Sequence, residues 1–489
     1  MVHLNPLDLP EIRLLVANHL DRHNLVHCLL VNKGWYNSFI PFIWRNIAWK
    51  EAVVKCKGDS ENAVGLPVFK IIRRGPSPEY LERHRLFVYN LRADNIDSYE
   101  CAFSYPNLQS LFYRGPFFEN DPLPLLKLNQ SLAELELLNY GRGTQDGIIW
   151  KVLQEQPHLK KLVLKTCYVA ENSAAEFWKF CQKLETLQLI DTEVSQSTGL
   201  AEITFPRMRN LYLGAMVRFR NASPLHLFEK CPGLESLRYM STPDDIILHI
   251  MNDTWPRLHS LTLWTSLMDS DIVCILQGVR QAENLNFRET GFGALAFQTL
   301  GRHFATLTEL DISQCHSVTS TMVRDILCFC PRLEFFQADR VLATDIANGG
   351  PWECLSMVEL TVYIEFPSSD DNLHQPIFDR LSQLVKLRVL VIGQSSFREG
   401  VETSYGLDIS LSKGLGLLGG LKLLRSLNVG ETRQMMRAKD VEWIVANWRS
   451  LRIFHGVKNS VDPDIDQEVE CLLIQHGVNV TRDPSLTII

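Results

Sequence analysis

The sequence predicts an α/β solenoid, a curved parallel sheet with helices on its convex face, preceded by a small module of three helices. Three observations predict it. A short apolar phrase recurs along most of the chain, the copies keep a nearly constant spacing, and residues 6 to 47 stand outside that pattern with a helical periodicity of their own. At ~150 residues per domain, 489 residues would make about three domains. A stacked repeat sets no upper size on its core, so the repeat replaces that count with one module and one long array.

The phrase is Pro-x-Leu-x-x-Leu-x-Leu with variations: PNLQSLFY from Pro106, PHLKKLVL from Pro157, PRMRNLYL from Pro206, PGLESLRY from Pro232, PRLHSLTL from Pro256 and PRLEFFQA from Pro331. Copies without the proline include SLAELELL from Ser131, KLETLQLI from Lys183, TLTELDIS from Thr306, KLRVLVIG from Lys386 and LLRSLNVG from Leu423. From Leu108 to Met357 the first apolar slots lie 24 to 27 residues apart, and the later intervals of 30, 37 and 27 mark insertions. Within a copy the second and third slots, such as Leu261 and Leu263, alternate as in a strand and point to one face. A helix is expected after each strand. Met322, Val323, Ile326 and Leu327 fall at helical spacing before Pro331, and Ser173 with Glu176 has capping-box spacing ahead of Phe177, Trp178 and Phe180. Such a unit cannot bury its own apolar face, so neighbours must stack.

These copies resemble leucine-rich repeats. The one from Leu307 to Pro331 is most similar to the cysteine-containing subtype, with Cys315 after the strand and Cys330 before the next. The resemblance covers residues 105 to 460, about 14 copies, and implies a solenoid that binds a protein partner. Residues 51 to 104 are expected to be a linker with an N-terminal cap or degenerate first copy, fitted by Leu86, Val88 and Leu91; residues 461 to 489 are expected to be a C-terminal cap or tail.

In the N-terminal segment, residues 1 to 50, Asp8 is expected to cap a helix carrying Ile12, Leu15, Val16 and Leu20 on one face. After a polar break at Asp21 come Leu25, Cys28, Leu29 and Val31, then Trp35, Phe39 and Ile40, ended by Pro41. The order Leu9-Pro10-Glu11-Ile12, Leu20, Leu25, Val31, Trp35 and Ile43-Trp44-Arg45 resembles the F-box, with Gly34 as a departure inside a stretch expected to be helical. The resemblance implies docking on an adaptor of the Skp family and, through it, a cullin. The residues it assigns to docking are Leu9, Pro10, Glu11, Ile12, Leu15, Leu20, Leu25, Val31, Trp35 and Trp44. Joined to the repeats, it implies the substrate-recruiting subunit of a ubiquitin ligase with a protein target; the alternative is a scaffold not acting in ubiquitination.

Other signals point away from catalysis. The formal charge of −7 argues against a general nucleic-acid surface, and no apolar stretch is long enough to span a bilayer. The opening MVHLNPLDLPE lacks the regions of a signal peptide, and the twelve cysteines form no Cys-x-x-Cys pair; the cytoplasm or nucleus is the expected compartment. His19, His23 and His27 are spaced four apart, but the break at Asp21 interrupts their helix, so no metal is expected. Gly414, Gly416 and Gly419 match a dinucleotide fingerprint, yet the repeat slots Leu424 and Leu427 follow, so a loop is expected and no cofactor. No nucleophile or metalloprotease motif is present, and no enzyme activity is expected.

On the concave face, the positions flanking the second and third slots are exposed. Arg238, Met240, Trp264 and Arg288 are expected to form a cationic and aromatic patch, with Glu309, Asp311, Asp339 and Glu359 as an acidic patch beside it. The arginines would pair acidic or phosphorylated groups of the target. The insertions at 366 to 376 and 393 to 420 are further candidates for recognition.

Overall fold

The computed structural model describes residues 7, 9–55, 69–74, 76–94, 103–115, 122–141, 146–195, 203–214, 216–220, 225–240, 247, 250, 253–264, 266–367, 371–393, 406–430, 432–456 and 459–481. Its backbone forms two compact units, Met1–Leu234 and Glu235–Ile489.

The first unit opens with α1 (Pro10–Ala17), α2 (Arg22–Leu29) and α3 (Lys33–Trp44). Their shared core is small: Ala17, Leu25 and Phe39, with Val16, Leu20, Cys28, Leu29, Trp35, Phe42 and Ile43 packed around it. Local polar groups set the helix starts. The Asp21 carboxylate accepts the Asn24 N–H at 2.8 Å and the Asn32 side chain accepts the Trp35 N–H at 2.9 Å, each satisfying an orphan donor of a first turn. Two expectations are corrected. Residue 8 lies outside the described residues, and the cap position of α1 is Leu9, followed by Pro10 in the first turn. Pro41 does not end its helix; α3 runs through it to Trp44 because Phe39 and Ile40 before it and Phe42 and Ile43 after it are all held in apolar contact. Gly34 also has a reason: the buried Arg13 guanidinium reaches Ser38 Oγ at 3.1 Å, and a Cβ at residue 34 would stand 3.1 Å from Arg13 Nη1.

From α3 the chain enters the strand Asn46–Lys55, antiparallel to Phe69–Arg74 and parallel to Asn90–Asp94. Parallel strands Ser110–Arg114, Glu134–Leu138, Lys161–Lys165, Thr186–Ile190 and Asn210–Leu213 follow in register, aligning Ile47, Leu91, Leu111, Leu135, Leu162, Leu187 and Leu211 in one buried row. The ladder thus starts before the first clear copy of the phrase; Val88 and Leu91 are buried, whereas Leu86 is exposed.

The second unit repeats the plan. Strands from Ser236–Tyr239 to Asn479–Thr481 align Leu237, Leu261, Leu285, Leu310, Phe336, Leu360, Leu390, Leu427, Phe454 and Val480. Residues after 460 continue it, with a helix Pro463–Gln475 and the last strand paired to Ile453–His455. The helix Ser320–Phe329 buries Met322, Val323, Ile326 and Leu327 as its spacing predicts. The helix Glu171–Cys181 buries Phe177, Trp178 and Phe180, but its cap position is Ala170; Ser173 lies inside and donates to the Ala170 carbonyl at 3.1 Å. The glycine-rich stretch forms a 3-10 turn, Leu415–Gly420, that inserts Leu415 and Leu418 into the core. Together these features make the chain an α/β leucine-rich-repeat solenoid.

The chain leaves several strands through a left-handed residue: Asn139, Thr166, Asp191, Glu289 and Gln314 have φ between 48° and 60°. The residue after it is turned inward. Cys167, Thr192 and Cys315 each donate to a carbonyl of the preceding copy, Leu137, Leu164 and Phe287, at 3.4, 3.1 and 3.0 Å. Threonine and cysteine are interchangeable here because both are small and carry one donor, which explains why only some copies show the cysteine.

Candidate protein-binding surfaces

The open face of the second unit's sheet carries two rows set by strand register. One runs Ser260, Asn284, Glu309, Phe335 and Glu359; the other runs Arg238, Thr262, Asn286, Asp311 and Gln337. Successive members sit about 4.8 Å apart in the hydrogen-bonding direction. The rows line a depression of ≈ 330 Å³ that Trp264 also lines.

The carboxylates in it are partly anchored. Asp311 accepts from Asn286 Nδ2 at 3.1 Å, from Ser313 Oγ at 2.6 Å and from the Ser313 N–H at 2.9 Å. Gln337 Nε2 donates to Glu359 at 3.3 Å. Burial pushes the Glu309 carboxyl above the ordinary carboxylate range, with Arg238 opposing the rise and Glu334 adding to it. Asp311 is likewise raised by burial against the bonds from Ser313 and Asn286 and the pull of Arg288. Glu359 is raised by burial against Gln337, and Glu309 reinforces the rise.

Of the residues expected at a binding face, the structure brings Arg238, Trp264, Glu309, Asp311 and Glu359 together. Met240, Arg288 and Asp339 do not line the depression. Arg288 Nε lies 3.5 Å from Glu289, and the Asp339 carboxylate holds the Gln314 N–H at 2.7 Å, stabilising a left-handed turn. The expected division into a cationic patch and an acidic patch is therefore corrected: Arg238 stands among the acids. Phe335 and the amides of Asn284, Asn286 and Gln337 were not singled out from the sequence, although their slots in the repeat place them on this face.

No family model matches the sequence, and no curated protein matches it. Among solved structures, a leucine-rich-repeat protein of Leptospira interrogans is similar, with 16% identity, coverage of 83% of this chain and 92% of that one, and a TM-score of 0.40. An internalin of Listeria monocytogenes shows 15% identity, coverage of 73% and 88%, and a TM-score of 0.39. The complex of Rad7 and Elc1 from yeast shows 14% identity, coverage of 78% and 82%, and a TM-score of 0.40.

The N-terminal helices present a second surface. Leu15 is 60% exposed, Leu30 79% and Val31 56%, and Leu9, Leu14 and Val26 are exposed as well. Pro10 and Glu11 are also at the surface, and Ile12 is half-buried. Other expected docking residues are buried or half-buried. Leu25 is core, Leu20 and Trp35 pack against that core, and Trp44 stacks on His84 with ring centroids 4.6 Å apart. Leu20, Leu25 and Trp35 hold the module's core together, and Trp44 packs on His84 beyond the module. The apolar surface belongs to Leu9, Leu15 and Val31, with Leu14, Val26 and Leu30 unsuspected from the sequence. His23 and His27 meet at 3.1 Å on α2, and His19 precedes that helix. Among the described residues no group of three His, Cys, Asp or Glu is placed to hold a metal, and no helix is long and apolar enough to cross a membrane.

Proposed function

We propose that this leucine-rich-repeat chain is the substrate-recruiting subunit of an adaptor–cullin ubiquitin ligase, without catalytic residues of its own. In this reading α1 to α3 dock on an adaptor of the Skp family, and the open sheet face holds a protein target. Transfer then rests on proximity, with target lysines brought near a charged conjugating enzyme.

The observation that carries the reading is the apolar surface of the N-terminal module. A module with so small a core gains nothing in water by exposing Leu15, Leu30 and Val31, and exposed apolar residues of this density mark a protein interface. Two of them, Leu15 and Val31, are also residues that the F-box resemblance assigns to docking. Fully burying a leucine or valine contributes about 1.5 to 3 kcal/mol, so losing two such contacts should weaken docking by well over tenfold.

The test is co-purification of the full chain with a Skp-family adaptor and cullin, beside a Leu15→Asp/Val31→Asp variant. Capture by the natural chain and loss in the variant are expected. Capture by neither would favour the scaffold alternative, and equal capture by both would overturn docking through Leu15 and Val31.

A further inference from the structure

We infer that the depression on the second unit's sheet face receives a basic side chain, lysine or arginine, from an extended segment of a partner protein. This deepens the substrate-receptor reading, on which it rests for calling that partner a substrate; the chemistry of the depression is tested separately.

The first ground is charge. Glu309, Asp311 and Glu359 bring three negative charges to the lining and Arg238 one positive charge, a formal balance of −2. Arg238 acts on Glu309 and Arg288 on Asp311, whereas Glu359 has an amide, Gln337, and the like charge of Glu309. An incoming phosphate or carboxylate would meet this excess; an ammonium or guanidinium would relieve it.

The second ground is the placement of the aromatic rings. Phe335 lies between Glu309 and Glu359 in the same row, 37% exposed, and Trp264, 49% exposed, stands on the Arg238 side of the lining. A lysine or arginine has an apolar stem and a charged head, so its stem suits the rings while its head reaches the carboxylates, and a cation over a ring face gains further. The third ground is that the carboxylates are preorganised: Asn286, Ser313 and Gln337 hold Asp311 and Glu359 in place before anything binds. Burial is the first cause of their raised proton affinity, and an incoming cation would offset it by favouring the ionised form.

The experiment uses the full chain and a fluorescein-labelled Gly-Lys-Arg-Lys-Gly peptide, with norleucine–glutamine and phosphoserine versions as controls, read by anisotropy. The basic peptide should bind, more weakly at high salt, and the controls should not. The Glu309→Gln/Glu359→Gln variant should lose at least tenfold in affinity. A Glu442→Gln/Glu468→Gln variant, with the same change in charge at exposed sites elsewhere in the unit, should keep it. Undiminished binding in the first variant, an equal loss in both, preference for the phosphoserine peptide, or no binding of the basic peptide would each overturn the inference. Adaptor capture measured on the same proteins separates the two readings. Peptide binding without adaptor capture defeats the receptor reading alone; adaptor capture without peptide binding defeats this inference alone.

Discussion

His303 is held against Leu276 across a repeat boundary: its Nε2 lies 2.9 Å from the Leu276 carbonyl, while Nδ1 accepts the Ala282 N–H at 3.3 Å. A backbone N–H can only donate, so Nδ1 must be unprotonated and Nε2 must carry the hydrogen. The site fits the neutral ring alone. Burial lowers its proton affinity; the Leu276 carbonyl opposes that shift, and Arg302 adds to it. The folded-state pKa lies below the unfolded value of about 6.5, so its contribution is complete above that pH and is lost as pH falls toward the depressed value. Denaturation midpoints at pH 7.5, 6.5 and 5.5 should fall with pH in the natural chain and fall less in His303→Gln. At pH 7.5 that variant should cost about 1 to 3 kcal/mol if either backbone group is left unpaired.

Asp269 caps a helix in the next copy, accepting the N–H groups of Gly293, Leu295 and Ala296 at 2.9, 3.1 and 2.9 Å. A Cβ on Gly293 would stand 2.9 Å from its Oδ2. Asp269→Ala should cost about 1 to 2 kcal/mol, and Gly293→Ala should be destabilising in the natural chain. The two costs should not add, since removing the carboxylate removes the clash; a double-mutant cycle by denaturant melting measures this.

Thr166 occupies a left-handed turn at φ 53°, where Asn139 and Asp191 serve in the copies on either side. A β-branched residue is strained there, and asparagine is tolerated. Thr166→Asn should raise stability by about 0.5 to 1 kcal/mol, seen as a higher melting temperature.

Buried and exposed leucines of the N-terminal module should separate in stability. Leu25→Ala should cost about 2 to 5 kcal/mol through the cavity it leaves, while Leu15→Ala should stay within about 0.5 kcal/mol. Hydrogen exchange of α2 and α3 distinguishes the two.

The Glu359 carboxyl has its folded pKa raised, so its ionised form costs stability at neutral pH and the cost is relieved as pH falls toward the raised value. Glu359→Gln should therefore be at least as stable as the natural chain at pH 7.5, with the difference shrinking at lower pH. Thermal melts across pH 5 to 8 test this; a stability loss at pH 7.5 would mean the carboxylate is better compensated than its surroundings indicate.

The repeat was legible because its physics is local and periodic. A two-residue alternation decides which side chains face the core, and one phrase every 24 to 27 residues decides which strands align, so Leu261, Leu285 and Leu310 could be placed in one row from spacing alone. The three helices of the N-terminal module were legible for the same reason. Their ends were less so: Pro41 inside α3 is tolerated by tertiary packing, and the cap of α1 falls on a residue without a capping side chain.

Alternation and spacing put Glu309 and Glu359 in one outward acidic patch beside that of Arg238. They could not say that all three line one depression with Phe335 between the acids, because that depends on side-chain reach and on the shape of the packed face. Nor could it tell that Leu15 and Val31 are exposed while Leu25 is core, since a helical face becomes inside or outside only when another helix covers it. The pattern of residues determined the solenoid and its outward positions. Burial, which sets both the cost of a charge and the availability of an apolar surface, was decided by the packing of the folded chain.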